Sequence, residues 1–198
     1  NWNIENYEAN YNNSDIKKTA ALLLKEKVIG ICNGQSEVGP RALGNRSILS
    51  LATSKKLAAK VSVYHKKREW YRPVAPIMLE KYTKYFTGLN TISRLSEYML
   101  LDFKVLEHKK AELEGAVHID GTSRIQTVFN RNQNPFIFDL LTFLDEKHQV
   151  KALINTSFNM KGEPIVHSLD DAIKSANNMQ LDAIVLNGKL KVLTHKNQ

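Results

Sequence analysis

The stretch VIGICNGQSEVGPRALGNRSILSL, residues 28–51, decides the fold. It opens with a short apolar run over residues 28–32 and closes with a second one over residues 47–51. Each of these runs is typical of a buried strand. The residues between them are rich in Gly, Asn, Ser and Pro, which are typical of turns. The sequence therefore predicts two strands joined by a loop, and this loop carries Arg41 and Arg46.

The rest of the chain mixes helical and extended patterns. Ser14 and Ser168 are predicted to cap the first and last of the helices, which we expect over residues 15–27, 55–66, 135–147 and 169–179. Further extended segments are predicted over residues 74–79, 98–105, 118–120, 124–129, 151–155, 182–186 and 189–193, the last two forming a hairpin around Asn187-Gly188. This mixture favours an α/β or α+β domain with a twisted mixed sheet flanked by helices.

The composition is that of an ordinary globular domain, with 42% apolar and 24% charged residues among 198. Residues 1–13 are polar and rich in asparagine, so we expect a linker or arm there and one domain over residues 14–198. Because the chain begins with Asn1 instead of Met, we interpret it as a piece of a longer protein. It has no signal peptide, no apolar run of membrane-spanning length and a single cysteine, Cys32, which we expect in the core. These features predict a cytoplasmic protein without a membrane partner.

The chain is basic, with 28 Lys and Arg against 20 Asp and Glu and a formal net charge of +8. Such a charge suits a nucleic acid, an anionic membrane surface or a small polyanionic substrate. The positions of the arginines decide among these partners. Two basic motifs hold them, and the first is GPRALGNRSIL, residues 39–49. Glycines let the backbone approach a ligand, and a planar guanidinium such as that of Arg41 suits phosphate or carboxylate.

The second basic motif is KKREWYRP, residues 66–73. A helical or irregular turn there would direct Lys66, Arg68 and Arg72 into one cleft, with lysine as a point charge and arginine as a fork. The motif also fits RNA binding, because bases stack on aromatic side chains such as those in its Trp-Tyr pair.

Two polar motifs lie farther along the chain. HIDGTSRIQTV, residues 118–128, places Arg124 at a strand edge, and we expect its lone histidine, His118, to be structural. LINTSFNMKGEPIV, residues 153–166, opens from an apolar strand into hydroxyl and amide side chains, among them Asn155, Ser157 and Asn159. Such groups at the end of a strand are suited to positioning phosphates or a carbamoyl-like amide.

The sequence lacks the motifs of several other kinds of catalytic or binding site. The chain has no Gly-x-Ser-x-Gly elbow, no Walker motif, no zinc pattern and no carboxylate pair at the four motifs. Taken together, the motifs predict one cationic site, built from distant segments and edged by hydroxyl groups. The number of cations suits a ligand with several negative charges, such as a nucleoside triphosphate.

The four motifs, in this order, resemble the C-terminal domain of the O-carbamoyltransferase family, which includes nodulation and antibiotic-tailoring carbamoyltransferases. The resemblance runs from about residue 28 to residue 192. It implies a YrdC-like fold. It also implies that carbamoyl phosphate is cleaved and that the resulting carbamate attacks the α-phosphate of ATP, forming carbamoyl-adenylate and pyrophosphate. An N-terminal domain with a bound metal, which these residues do not include, would then transfer the carbamoyl group to a hydroxyl.

The resemblance also assigns residues to the site. Arg41, Lys66 and Arg72 are implied as catalytic residues, with Arg41 at carbamoyl phosphate. Our own hypothesis for the second arginine of the first motif, Arg46, is that it only braces the turn. Substrate and nucleotide contacts are expected from Arg41, Lys66, Arg68, Arg72, Arg124, Asn155, Ser157 and Asn159, with Mg²⁺ accompanying ATP and no metal ligands among them. Two alternatives stay open: a YrdC-like module that binds tRNA, and a regulatory domain that binds nucleotide without turnover.

Overall fold

The structure is a computed structural model that describes residues 10–195. Within this range the chain forms a seven-stranded sheet and a separate two-stranded ribbon. The strands are β1 (Ile29–Cys32), β2 (Arg46–Leu51), β3 (Ala75–Leu79), β4 (Phe103–Lys104), β5 (Thr122–Ser123), β6 (Gln126–Val128), β7 (Leu153–Ser157), β8 (Ala183–Leu186) and β9 (Lys189–Val192). The large sheet has the order β6-β3-β7-β2-β1-β8-β9, and β4 pairs with β5.

The sheet is mixed, as predicted. β1 pairs antiparallel with β2 and parallel with β8, and β2 and β3 both run antiparallel to β7. β6 is parallel to β3, and β8 and β9 form the predicted hairpin. The register places Ser47 of β2 opposite Ser157 of β7 and Ala75 of β3 opposite Asn155. The loop that precedes β2 and the end of β7 therefore meet at one end of the sheet.

Helices cover the sheet. They are α1 (Asn13–Leu24), α2 (Lys55–Ala59), α3 (Glu80–Thr87), α4 (Pro135–His148) and α5 (Leu169–Asn178). A π-helical segment, Lys60–His65, continues α2, and 3₁₀ segments span Arg94–Tyr98 and Glu107–Ala116. No helix in the described part of the chain is long and apolar enough to cross a bilayer.

Apolar residues fill both faces of the sheet. In β1, Ile29 and Ile31 pack in one cluster with residues of α1 and α4, whereas Cys32 packs in the other cluster with residues of α5. This alternation follows from the two-residue period of a strand. Cys32 is fully buried and unpaired, which confirms its predicted place in the core.

Local side chains determine where helices α1 and α5 begin. Asn12, not Ser14, caps α1, and it forms a capping box with Asp15; the helix therefore begins at Asn13, two residues earlier than predicted. The predicted cap of α5 is confirmed, since Ser168 forms a capping box with Asp171. The predicted arm lies mostly in residues 1–9, outside the described residues.

The sequence pattern does not predict α3, and it predicts one strand that is too long. Helix α3, EKYTKYFT, is rich in aromatic and β-branched residues of low helix propensity, and Gly88 ends it in the left-handed conformation at φ 73°. The strand predicted over residues 98–105 is wrong for most of its length. A 3₁₀ segment ends at Tyr98, and only β4 is extended.

Gly30 in β1 tests the packing of the core. A Cβ atom added there would lie 2.6 Å from the ring of Phe158 and 3.1 Å from Leu181. Both neighbours are fully buried, so neither can move freely. Gly30→Ala is expected to lower the free energy of unfolding by about 1–3 kcal/mol in chemical denaturation. Lys56→Ala, on the exposed side of α2, is the control and should change it by less than about 0.5 kcal/mol. Equal stability of the Gly30→Ala variant and the parent would contradict this packing.

Candidate functional site

A small cavity lies where the β1–β2 loop meets the end of β7 and the start of β3. Its volume is about 170 Å³. It is lined by Pro40, Arg41, Ala42, Arg68, Pro73, Val74, Ala75, Met99, His118, Arg124, Asn155, Thr156 and Ser157. All four sequence motifs contribute to this wall, although they are far apart in the chain.

The structure brings most of the predicted site residues together. The residues that line the cavity are Arg41, Arg68, Arg124, Asn155 and Ser157. Lys66 and Asn159 do not line it, but both contact Ser157 from behind. Arg72 lies outside the cavity.

Two of the cavity arginines lack a carboxylate partner in the described part of the chain. Arg41 is exposed, and no hydrogen bond or ion pair within residues 10–195 engages its guanidinium. Arg68 is half-buried, and its Nη1 has one long contact, 3.4 Å to Thr156 Oγ1. Desolvation, and then the charge of Arg72, lower the pKa of Arg68. Arg124 differs, because both oxygens of Asp102 accept from its guanidinium at 3.2–3.3 Å. The cavity therefore holds two guanidinium groups that form no ion pair with a carboxylate of the described residues, although the nearby charge of Glu69 partly offsets the lowering of the pKa of Arg68.

Lys66 is buried directly behind Ser157, with 1% of its surface exposed. Its Nζ donates to the carbonyl oxygens of Ser157 and Asn159, and to Asn159 Oδ1 at 3.0 Å and Ser157 Oγ at 3.3 Å. All of these acceptors are neutral. Desolvation, and then the charge of Arg68, lower the pKa of Lys66 to about 7. An anion in the cavity would favour the protonated form of this lysine.

The backbone before Lys66 explains how a lysine reaches this buried position. The π-helical segment Lys60–His65 precedes it, and the Lys66 N–H donates to Val61 O, five residues earlier. Such segments are frequent at functional sites because they displace the following side chains from the helical path. After Lys66 the chain turns, with Lys67 in the left-handed conformation at φ 53°.

Arg72 does not line the cavity, so the prediction that Lys66, Arg68 and Arg72 point into one cleft is wrong for Arg72. Its Nε lies 2.9 Å from Glu69 Oε2, and Glu69 Oε1 also accepts from Lys161 at 2.5 Å. These pairs, led by Lys161, lower the pKa of Glu69 to about 2. Glu69 therefore holds Arg72 away from the cavity. Arg72 lines an adjoining groove of about 840 Å³ together with the exposed rings of Trp70 and Tyr71.

This groove adjoins the cavity. They share three lining residues, Pro73, Val74 and His118. His118 Nδ1 lies 3.1 Å from Thr122 Oγ1, as expected for a structural histidine, but the side chain also lies in the wall between the two spaces. The place of His118 between the cavity and the groove could not be predicted, because no residue near it in the sequence indicates the groove.

Glu37 organises the loop that carries Arg41. Its Oε1 accepts from the backbone N–H groups of Leu43 and Asn45 at 2.7 Å and of Arg46 at 3.2 Å. Sequence reasoning missed this residue. A usable signal was present, because Glu37 is the only acid in residues 33–46.

Arg46 braces the same loop from its other side. Its guanidinium is buried and donates to the carbonyl oxygens of Asn33, Gly34, Asn45 and His167 at 2.8–3.2 Å. This confirms the bracing role predicted for Arg46. The two arginines of the first motif are therefore used differently: one holds the backbone, and the other is presented to the cavity.

The described residues contain no group of three or more His, Cys, Asp or Glu side chains that could hold a metal ion. The oxygen and nitrogen atoms of the cavity come from arginine, histidine, amide and hydroxyl groups. Such a set suits an anion.

Residues 20–192 match the model of a protein family described as "Carbamoyltransferase C-terminus". The match covers most of the chain, and the chain therefore belongs to this family, as the motifs indicated. It is a carbamoyltransferase-family domain.

Curated relatives are much longer than this chain. Nodulation protein NolO of Bradyrhizobium diazoefficiens is 40% identical over 87% of the chain, which corresponds to 31% of NolO. Nodulation protein NolNO of Sinorhizobium fredii is 39% identical over 82% of the chain and 24% of its own length. The uncharacterized protein MJ1051 of Methanocaldococcus jannaschii is 37% identical over 85% of the chain and 32% of its own length. The chain thus spans about a third or less of these relatives.

Two solved structures have a similar fold. Full-length HypF, in a phosphate- and nucleotide-bound form, superposes with a TM-score of 0.62 at 20% identity, over 87% of this chain and 24% of HypF. Sua5 of P. abyssi gives 0.60 at 11% identity, over 93% of this chain and 52% of Sua5. These likenesses confirm the predicted YrdC-like fold.

Removal of the Glu37 carboxylate tests the architecture of the loop. Glu37→Ala leaves three backbone N–H groups without their acceptor, so we expect a loss of about 1–3 kcal/mol of unfolding free energy. Amide hydrogen exchange at Leu43 and Asn45 should accelerate. Glu37→Gln keeps an acceptor oxygen and should have the smaller effect.

Glu146→Ala, at an exposed position of α4, is the matched control for loss of an acidic side chain. Unchanged exchange at Leu43 and Asn45 in Glu37→Ala would show that the carboxylate does not hold the loop.

Proposed function

We propose that this chain is the ATP- and carbamoyl-phosphate-binding domain of an O-carbamoyltransferase, and that it forms carbamoyl-adenylate for transfer to a hydroxyl acceptor. The observation that carries the proposal is the pair of cavity arginines, Arg41 and Arg68, without a carboxylate partner in the described residues. Family membership supports it independently.

Carbamoyl phosphate fits the cavity in size and charge. A volume of about 170 Å³ suits a small molecule. Each guanidinium offers a planar pair of donors to a phosphate, and Ser157 and Thr156, the latter next to Arg68, also line the cavity. Lys66 contributes positive charge from behind Ser157 and fixes the turn between Ser157 and Asn159.

The adjoining groove suits the nucleoside part of ATP. Trp70 and Tyr71 expose 81% and 64% of their surface there, and aromatic rings of this kind stack on bases. Arg72 lies beside them, in reach of a triphosphate that passes from the groove toward the cavity. Full-length HypF, which contains a region of this fold, has been solved in a phosphate- and nucleotide-bound form. Mg²⁺ would arrive with the triphosphate and share its charge.

The chemistry proceeds in two steps. Hydrolysis of carbamoyl phosphate gives inorganic phosphate and carbamate. A carbamate oxygen then attacks the α-phosphorus of ATP, and the bond from that phosphorus to the pyrophosphate oxygen breaks. Both reactants are anions and repel each other, so their approach requires compensating positive charge. One donor aimed at the charge that develops in the transition state is worth roughly 10²–10³-fold in rate.

Transfer to the acceptor requires a further domain. The curated relatives are about three to four times as long as the matched region, which leaves room for one. We propose that an N-terminal domain with a metal site carries the acceptor and completes carbamoyl transfer.

The two alternative functions predict different results in binding and exchange experiments. An open groove lined by Lys56, Lys60, Lys67 and Tyr64 favours a nucleic-acid surface, and binding there would weaken linearly with salt on logarithmic axes. A regulatory domain would saturate with ATP at one site. Only the activating enzyme would also exchange pyrophosphate into ATP in a carbamoyl-phosphate-dependent manner.

Arg41→Ala tests the anion site in the full-length protein. A hydrogen bond to a charged group contributes about 1.5–3 kcal/mol. Its loss is expected to lower kcat/KM for carbamoyl-phosphate-dependent pyrophosphate release roughly 10- to 150-fold. Arg131→Ala is the control, because Arg131 is an exposed arginine that pairs with Asp139 away from the cavity. Unchanged pyrophosphate release in Arg41→Ala would refute the role of Arg41.

The lowered pKa of Lys66 predicts a pH dependence of anion binding. Because an anion favours the protonated lysine, binding takes up a proton, and affinity falls as the pH rises above about 7. Sulfate is the probe, since its own charge is constant between roughly pH 6 and 9. We expect its affinity, measured by calorimetry, to fall by up to about tenfold per pH unit.

Lys66→Met should remove this dependence. His118 also lines the cavity, so His118→Gln serves as the control and should retain it. A pH-independent sulfate affinity in the parent protein would contradict the assignment.

A further inference from the structure

The turn over residues 118–122 joins a histidine, a threonine and an aspartate in one chain of hydrogen bonds. Its backbone closes on itself, because His118 N donates to Thr122 O at 2.8 Å and Gly121 N donates to His118 O at 2.9 Å. Thr122 Oγ1 donates to Asp120 Oδ1 at 2.7 Å, and His118 Nδ1 lies 3.1 Å from the same Thr122 Oγ1. The His118 ring is therefore held by contacts within its own turn.

The Asp120 carboxylate determines which nitrogen of the His118 ring carries a proton. Hydrogen bonds from the Thr122 hydroxyl and then from the Thr122 backbone N–H lower the pKa of Asp120, so its carboxylate is ionised at neutral pH and only accepts. The one hydroxyl proton of Thr122 is thus used by Asp120, and Thr122 Oγ1 is left to accept from His118 Nδ1–H. The neutral ring consequently carries its proton on Nδ1 and its lone pair on Nε2.

Nε2 is the ring nitrogen that remains for a ligand. His118 is half-buried, Nε2 has no hydrogen-bond partner among residues 10–195, and it is not one of the buried atoms that lack a partner. The ring lies in the wall between the cavity and the adjoining groove. The guanidinium groups of Arg41 and Arg68 line the same cavity, so an anion held by them would share this space with the His118 ring.

The other polar side chains of the cavity wall are poor proton acceptors near neutral pH. Arginine has no free lone pair, and amide and hydroxyl groups are very weak bases. Lys66 is buried behind Ser157, and its Nζ is occupied by acceptors of Ser157 and Asn159. Imidazole is the side chain that most often accepts a proton in catalysis. His118 is therefore the residue of the described cavity wall that is suited to this task.

We propose that His118 is the general base for the hydrolysis of carbamoyl phosphate, and that Thr122 and Asp120 position its ring. This inference rests on the proposed function and adds a catalytic residue to it. Nε2 takes a proton from a water molecule as the water oxygen attacks the phosphorus atom of the carbamoyl phosphate dianion. The bond from phosphorus to the carbamoyl oxygen breaks, which gives HPO₄²⁻ and the carbamate anion, and the proton on His118 then passes to solvent. The carbamate forms beside the groove proposed for ATP.

His118→Asn separates a catalytic role from a structural one. The asparagine NH₂ group takes the place of Nδ1–H and can still donate to Thr122, whereas Nε2 is lost. In the full-length protein with ATP and Mg²⁺, we expect kcat for phosphate release from carbamoyl phosphate to fall roughly 10²- to 10⁴-fold, with KM changed less than about threefold. Added imidazole should restore part of the rate in His118→Ala. His108→Asn, at an exposed position outside the cavity and the groove, is the matched control and should keep the parent kcat.

Thr122→Val tests the positioning of the ring, because it keeps the shape of the side chain and removes the hydroxyl. We expect kcat to fall roughly 2- to 10-fold at an unchanged KM, and Thr122→Ser should restore it. In water enriched in heavy oxygen, the parent protein should release labelled phosphate.

An unchanged kcat in His118→Asn, or a rise in KM that accounts for the whole loss of kcat/KM, would overturn the inference. Unlabelled phosphate from the parent would overturn attack at phosphorus. A parent protein that releases neither phosphate nor pyrophosphate from carbamoyl phosphate and ATP would instead refute the proposed function.

Discussion

The arrangement of the site depends on positive charge that the described part of the chain does not neutralise. Arg41 and Arg68 lie in one small cavity, with buried Lys66 close behind it, and none of the three has a carboxylate partner among the described residues. Like charges at such distances repel each other, and desolvation adds to the penalty for Lys66. A bound anion would offset both penalties, as the proposed function requires.

The way in which the acids are used supports this account. Glu37 could have paired with an arginine of its own loop, but its carboxylate accepts from three backbone N–H groups instead. Arg46 neutralises no acid either and holds backbone carbonyls. Glu69 pairs with Arg72, which lies outside the cavity, and Asp102 pairs with Arg124, which lines it. The carboxylate of Glu37 therefore holds the loop backbone, while Arg41 and Arg68 form no ion pair with a carboxylate of the described residues.

The sheet explains how distant motifs meet. β2 lies between β1 and β7, so the loop before β2 and the end of β7 are neighbours, and the antiparallel register sets Ser47 opposite Ser157. β3 then adds the segment that follows the basic motif, with Ala75 opposite Asn155. The sequence was sufficient to predict these strands, because apolar runs bounded by turn residues are local signals. It also indicated Arg41, Asn155 and Ser157, because Arg41 lies in the loop between two predicted strands and the other two lie at the end of a third.

Other features depend on contacts between distant residues, which no local pattern records. The burial of Lys66 requires acceptors 91 and 93 positions away in sequence. Arg72 turns from the cavity because Glu69 is held by Lys161, 92 positions away. Asn155 Oδ1 has no hydrogen-bond partner among residues 10–195, because Ala42 O and the Gln126 amide orient the Asn155 side chain. Helix α3 forms despite its weak intrinsic propensity, because Thr83 and Phe86 are buried in the folded protein.

A crystal structure of the chain with bound carbamoyl phosphate tests the central claim most directly. Our account predicts the phosphate within about 3 Å of donors on both Arg41 and Arg68. Anion density in the groove of Lys56, Lys60 and Lys67, with neither cavity arginine in contact with it, would contradict the account.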